Sequence, residues 1–255
     1  MKQKGARMKK SKNKKLIKKG KRWFCAVKRI LTCRYKCPDF IFLEGKPFEE
    51  TSVILSNHES TLSPMSLEMY LDKPLSFWGA YEMNSGLVKT YKYQSYVYYH
   101  KKKKWNLHLS RLFCLIASPL TNMFYKGLNI ISVYRDARFI KTMNESIEAL
   151  KQGNNIVIYP EDSENGYLKE LTGFHLGFVV FAERCLKKGI DLPIVVAYYN
   201  KETVQYLFDK PVKFSELQKR FSSRQEIADH LLERCNFLGK MEKVDVDATN
   251  EKVCV

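Results

Sequence analysis

No acidic residue occurs in the first 38 positions, and no stretch of the 255-residue chain is long and apolar enough to read as a transmembrane helix, which takes roughly 20 such residues. The missing acids account for the charge. Lysine and arginine total 44 against 27 acids, a formal +17, and sixteen of those cations lie in residues 1–38. The rest of the chain holds 28 cations against 27 acids, so the basicity belongs to an arm and the body is near neutral. That arm also lacks the apolar core of a secretory signal. The seven cysteines (25, 33, 37, 114, 185, 235, 254) form no pattern. Cys33-x-x-x-Cys37 has no second pair, which argues against a zinc site, and reduced thiols in a cytosolic setting are the simpler account. Cys254 is next to last, where a prenylation signal does not place it. No internal repeat is present.

What is there divides the chain in four. Residues 1–22 are too polar and too cationic to pack and predict a disordered arm. Residues 23–38 interleave Trp23, Phe24, Val27, Ile30 and Leu31 with basic residues, a short amphipathic segment suited to an anionic membrane surface. A solubilising tail is the plainer reading of the same residues. Residues 39–238 read as one α/β domain, large enough for a single substantial core, and 239–255 as a loose tail. A nucleic-acid role would rest on the arm alone; the near-neutral body carries no such motif, so no nucleic-acid partner is expected. Further along, Tyr91, Tyr93, Tyr96, Tyr98 and Tyr99 precede Lys101–Lys104 and Trp105, followed by a charge-free stretch, 112–125, broken by Pro119. Rings beside a lysine run suit a membrane interface, and an exposed loop leading into a buried helix fits equally well.

From residue 130 the chain alternates strand and helix. Residues 130–134 and 156–159 read as strands, the second stopped by Pro160, and 193–198 as another. Phe139, Met143, Ile147 and Leu150 recur at helical spacing with Gly153 to close, and Leu176, Val179, Val180 and Leu186 do so with Gly189. Ser223-Arg224-Gln225-Glu226 is a capping box that opens a last helix through Ile227, Leu231 and Cys235. Strands joined by helices of this length imply a single-domain, mainly parallel sheet flanked by helices, with functional residues at strand ends. The apolar run Val53-Ile54-Leu55 ends at such a place. Ser56-Asn57-His58-Glu59-Ser60 follows it, and a histidine there can take a proton from a hydroxyl.

Four separated segments, in order, resemble the four blocks of the 1-acylglycerol-3-phosphate (lysophospholipid) acyltransferase superfamily. Asn57-His58 with Ser60 is similar to Asn-His-x-x-x-x-Asp, and Gly127 through Ile130, Ile131 and Arg135 to a glycine, isoleucine-rich strand and arginine. Tyr159-Pro160-Glu161 resembles the start of Phe-Pro-Glu-Gly-Thr-Arg, and Leu192-Pro193-Ile194-Val195 resembles Val-Pro-Ile-Val. Phe174-His175-Leu176-Gly177 and Asp209-Lys210-Pro211-Val212 add two weaker matches over residues 40–238. The resemblance implies that fold and transfer of a fatty acyl chain from acyl-CoA or acyl carrier protein, as co-substrate, to a lysophospholipid-like acceptor. It implies no bound cofactor, and a peripheral enzyme on the inner, cytoplasmic face of a membrane. It assigns His58 as general base, Glu161 as organiser of the acceptor site, and Asn57, Gly127, Arg135 and Pro160 to substrate binding, with Arg135 on the acceptor's phosphate. The family's aspartate would orient the imidazole, as in the serine-protease triad.

Two positions depart from the pattern. Ser63 stands where the family has that aspartate, supplying a hydroxyl and no charge; before Pro64 it also reads as a helix N-cap. Glu59 and Glu161 are the candidate substitutes. Asp162-Ser163-Glu164 replaces Gly-Thr-Arg, which together with Glu161 offers oxygen ligands to a divalent cation, although a solvated loop is the simpler reading and no metal is expected. A lipid- or acyl-chain-binding relative with a disused site therefore stands beside the enzyme.

Overall fold

The structure, a computed structural model, describes residues 22–31, 35–43, 48–161 and 168–244. The arm before residue 22, the tail after 244 and the Asp162-Ser163-Glu164 segment lie outside them. Helix α1 (Arg22–Leu31) precedes strands β1 (Asp39–Phe42) and β2 (Val53–Ser56), helix α2 (Leu62–Tyr70) and β3 (Leu75–Ala80). A 3-10 turn (Tyr81–Asn84), α3 (Leu87–Lys92), a π-helical segment (Tyr93–Lys102) and α4 (Leu107–Tyr125) come before β4 (Ile130–Val133). Then follow α5 (Phe139–Lys151), β5 (Asn155–Ile158), α6 (Gly177–Lys187), β6 (Pro193–Asn200), β7 (Gln205–Phe208), β8 (Val212–Lys213), α7 (Phe214–Arg220) and α8 (Arg224–Lys240).

The strands form one sheet in the order β1-β7-β6-β2-β5-β3-β4, with β8 on β6. β6, β2, β5, β3 and β4 run parallel, whereas β7 and β8 are antiparallel to β6. This is the mainly parallel, helix-flanked sheet that the strand-helix alternation predicts. Its central strands are buried on both faces, which is why they read as unbroken apolar runs. Val53 and Leu55 of β2 face the layer of α5, α6 and α8, and Ile54 faces the opposite layer with Leu67 of α2, Phe40 and Tyr206. Gly153 and Gly189 close α5 and α6 with φ of 84° and 78°, left-handed values open to glycine. Ser223 caps α8 by accepting from the Glu226 N–H, while Glu226 accepts from Ser222.

Three expectations need correction. Helix α2 begins at Leu62 with Thr61 as N-cap, so Ser63 and Pro64 lie inside its first turn. Helix α8 runs to Lys240, and Gly239 sits within it because the ring of Tyr198 fills the space a Cβ would need, 2.7 Å away. Cys37 is disulfide-bonded, contrary to reduced thiols throughout. The basic amphipathic segment is also partly committed to the body. Phe24 of α1 is buried against Phe124 (centroids 5.2 Å apart), and Lys28 pairs with Glu68 at 3.0 Å. Among the described residues no helix is long and apolar enough to cross a membrane.

Candidate active site

Strands β2 and β5 are neighbours in parallel register, with Leu55 opposite Ile158. Three residues beyond each, the chain reaches His58 and Glu161, so register alone carries the two together at the carboxyl edge of the sheet. The His58 main-chain N–H donates to Glu161 Oε1 at 3.2 Å. The imidazole packs edge-on to Tyr159, ring centroids 4.8 Å apart at 61°. Glu161 is held from its other side by a bridge to Phe174, and the His175 N–H donates to the Pro160 carbonyl at 2.7 Å. The segment 174–177 thus pins the Pro160-Glu161 corner in place.

The loop after β2 is tied down on all sides. Ser60 has a left-handed φ of 54°, an uncommon conformation for a residue with a side chain, and shares a hydrogen bond with Tyr98 Oη at 3.0 Å. Ser63, fully buried, uses its hydroxyl to accept from the Glu59 N–H at 2.9 Å. It holds the turn by a main-chain contact. Glu59 itself reaches Lys201 at 3.6 Å. Asn57 continues the β2–β6 ladder with its side chain: it accepts from the Tyr199 N–H at 2.7 Å and donates to the Tyr199 carbonyl at 3.1 Å. The geometry gives Asn57 a structural duty, since both ends of its amide are engaged by the main chain.

Electrostatics at the corner are set by desolvation and one lysine. Burial, aided by the positive charge of Lys102, lowers the His58 pKa to about 4, leaving the imidazole neutral at pH 7. Burial raises Glu161 to about 7, against the opposing effects of the His58 N–H and Lys102, and Glu59 adds to the rise. Lys102 closes the π-helical segment whose Tyr98 touches Ser60, so the cation that acts on both groups comes from that segment. Arg135 follows β4, two strands beyond β5 and roughly 14 Å across the sheet from β2 at the usual strand spacing. It is exposed and bears on Tyr93, while Asp136 is gripped by Arg138 at 2.6 Å. Gly127 lies away from the corner: a Cβ there would stand 2.2 Å from the ring of Phe24. Its lack of a side chain seats α1.

Of the residues singled out in the sequence, the structure gathers Asn57, His58, Ser63, Pro160 and Glu161 and leaves Gly127 and Arg135 elsewhere. Lys102, Tyr98 and Tyr159 join the corner. Tyr159 was legible as part of the third block, but nothing distinguishes Lys102 within a run of four lysines. No group of three or more His, Cys, Asp or Glu able to hold a metal occurs among the described residues; Asp162 and Glu164 lie outside them. Chemically the corner combines an unprotonated imidazole, a carboxyl group that titrates near neutrality and a cation within electrostatic reach of both.

The chain is similar to the crystal structure of the 1-acyl-sn-glycerophosphate (LPA) acyltransferase PlsC from Thermotoga maritima, with 15% identity and a TM-score of 0.44, over 86% of this chain and 78% of that one. No protein-family model matches the chain. No curated protein sequence matches it either.

Proposed function

We propose that this protein is an O-acyltransferase that moves a fatty acyl chain from acyl-CoA or acyl carrier protein to the hydroxyl of a lysophospholipid-like acceptor at the cytoplasmic face of a membrane. The observation that carries the reading is the meeting of His58 and Glu161, from two blocks of the resemblance 103 residues apart, through a single hydrogen bond. An alcohol attacks a thioester only if its proton is removed as the bond forms, and a neutral imidazole is the group to receive it. In this account the acceptor oxygen bonds to the thioester carbon, its proton passes to His58, and the carbon–sulfur bond breaks. His58 then returns the proton to the departing thiolate. Lys102 favours negative charge at the corner, on the thioester oxyanion or on the acceptor's phosphate. Glu161 positions the turn that carries His58, Ser63 holds that turn from beneath, and Pro160 anchors the segment that carries Glu161. Arg135, farther out, engages an anionic group at the outer end of a long substrate.

A second reading, a lipid- or acyl-chain-binding relative without turnover, is favoured by one feature: Ser63 brings no charge to an imidazole already held at about 4. Thiol release from long-chain acyl-CoA, measured over a panel of lysophospholipids for wild type and His58→Gln, separates the two. Acceptor-dependent release lost in the variant supports the enzyme. Acceptor binding with no release from wild type supports the binder.

A further inference from the structure

Helix α4 is inside out. Its buried side carries Ser110, Cys114, Ser118 and Asn122, a stripe of small and polar residues four apart, with Asn122 donating to Thr90 Oγ1 of α3 at 3.1 Å. The opposite side presents Leu109, Leu112, Ile116, Leu120 and Met123 to the surroundings, with Leu112 66% and Ile116 75% exposed. A water-facing helix shows the reverse pattern. Close packing through small residues with the apolar side outward is how helices associate in lipid. The apolar face extends onto α3, where Leu87 and Val88 border Leu115 along a shallow groove of about 220 Å³. At the other end Trp105 and Phe113 meet edge to face, ring centroids 5.5 Å apart, beside the lysine run. A contiguous apolar surface of this kind marks a docking face on a water-soluble body.

Charge identifies what docks. Residues 83–135, which contain the whole element, hold nine lysines and arginines and no acid. Lys89, Lys92 and Arg111 outnumber the single acid, Glu82, along a groove of about 860 Å³ that Tyr91, Tyr93 and Tyr96 also line. A second copy of this chain would bring like charges face to face, whereas an anionic bilayer supplies both the apolar layer and the phosphates. We infer that α3, the π-helical segment and α4 form a monotopic anchor that inserts its apolar face into one leaflet of an anionic bilayer. Trp105 and the lysines sit at headgroup level. The proposal rests on the membrane-bound acyl-transfer reading and adds to it which element meets the bilayer. Because that element also carries Tyr98, bonded to Ser60, the bilayer is brought to the corner that holds His58.

Flotation of the full chain with phosphatidylglycerol/phosphatidylcholine vesicles tests this, at about 0.5 M salt so that attraction by the arm is screened. The variant is Leu112→Gln/Ile116→Gln, and the control is Ile140→Gln/Phe237→Gln, which removes two exposed large apolar residues elsewhere on the surface. Thermal melts check that both retain the fold. Wild type and control should float, and the double variant should bind at least about tenfold more weakly, as expected for removing two large apolar side chains from lipid. Brominated lipid should quench wild type more than Trp105→Phe. Equal flotation of the double variant, or a wild-type dimer in solution that it abolishes, would overturn the proposal. Acyl transfer to a short-chain, monomeric acceptor keeps the two readings apart. Turnover without vesicle binding by wild type sinks the anchor alone, and vesicle binding lost in the double variant but no turnover sinks the acyltransferase alone.

Discussion

Replacing His58 and Glu161 singly with glutamine should tilt stability against pH in opposite directions. His58 is lowered from its ordinary 6.5 to about 4. Between those values the unfolded chain binds a proton that the folded chain refuses, so this residue makes stability rise as pH goes from about 4 to 6.5. Glu161 is raised from 4.5 to about 7. Over that window the folded chain keeps a proton the unfolded chain has lost, so this residue makes stability fall as pH rises. At about 1.4 kcal/mol per pH unit each effect is worth roughly 3 kcal/mol, and in wild type they largely offset one another between pH 4.5 and 6.5. His58→Gln keeps the main-chain N–H that Glu161 accepts, so it should lose about 3 kcal/mol relative to wild type between pH 4 and 6.5. Glu161→Gln should gain about 3 kcal/mol relative to wild type between pH 4.5 and 7. Urea denaturation at pH 4.5, 5.5, 6.5 and 7.5 reads both, and taking each variant minus wild type cancels the other titrating groups. For a domain of this size the same differences amount to about 6–12 °C in Tm. Differences that stay flat with pH, or slope the same way in both variants, would refute a shared desolvated site.

Other substitutions separate structural from chemical duties. Asn57→Ala strips partners from the buried Tyr199 N–H and carbonyl and should destabilise by about 2–4 kcal/mol in a denaturation curve, with acceptor affinity of the folded protein unchanged. Gly127→Ala places a methyl against the Phe24 ring and should cost about 1–3 kcal/mol, with α1 released to trypsin earlier than the α8 region is cleaved. Ser63→Asp adds a carboxylate beside the turn that carries His58; it should raise the His58 pKa from about 4, followed by the NMR titration of its ring proton, and increase acyl transfer at pH 7. A lowered or unchanged pKa in that variant would mean that position 63 does not act on the imidazole.

The strands that position the site were legible because they are apolar on both faces and bounded by Pro or Gly, as in β5 and β6. β1 and β7 were not: β1 lies at the sheet edge, and β7 follows Val204, whose left-handed φ of 54° no local pattern announces. His58 and Glu161 could be read as strand-end residues, but their meeting depends on β5 inserting between β2 and β3, a non-local choice. The same choice places Arg135 at the end of β4, two strands beyond β5. The resemblance assigns Asn57 to binding, and an amide side chain does not reveal in sequence whether it faces a ligand or a neighbouring main chain. In α4 the charge-free stretch was visible and its orientation was not. The small polar stripe Ser110-Cys114-Ser118-Asn122 held that information, but burying it required Thr90 of α3 as a partner.

The most direct measurement is transfer of a radiolabelled acyl chain from acyl-CoA to lysophospholipid in anionic vesicles, recovered as phospholipid, by wild type and His58→Gln. Labelled phospholipid is expected from wild type, and from the variant a rate at least about a hundredfold lower, as for loss of a general base. Equal rates in the two proteins, or no labelled product from wild type with any lysophospholipid, would contradict the proposed function.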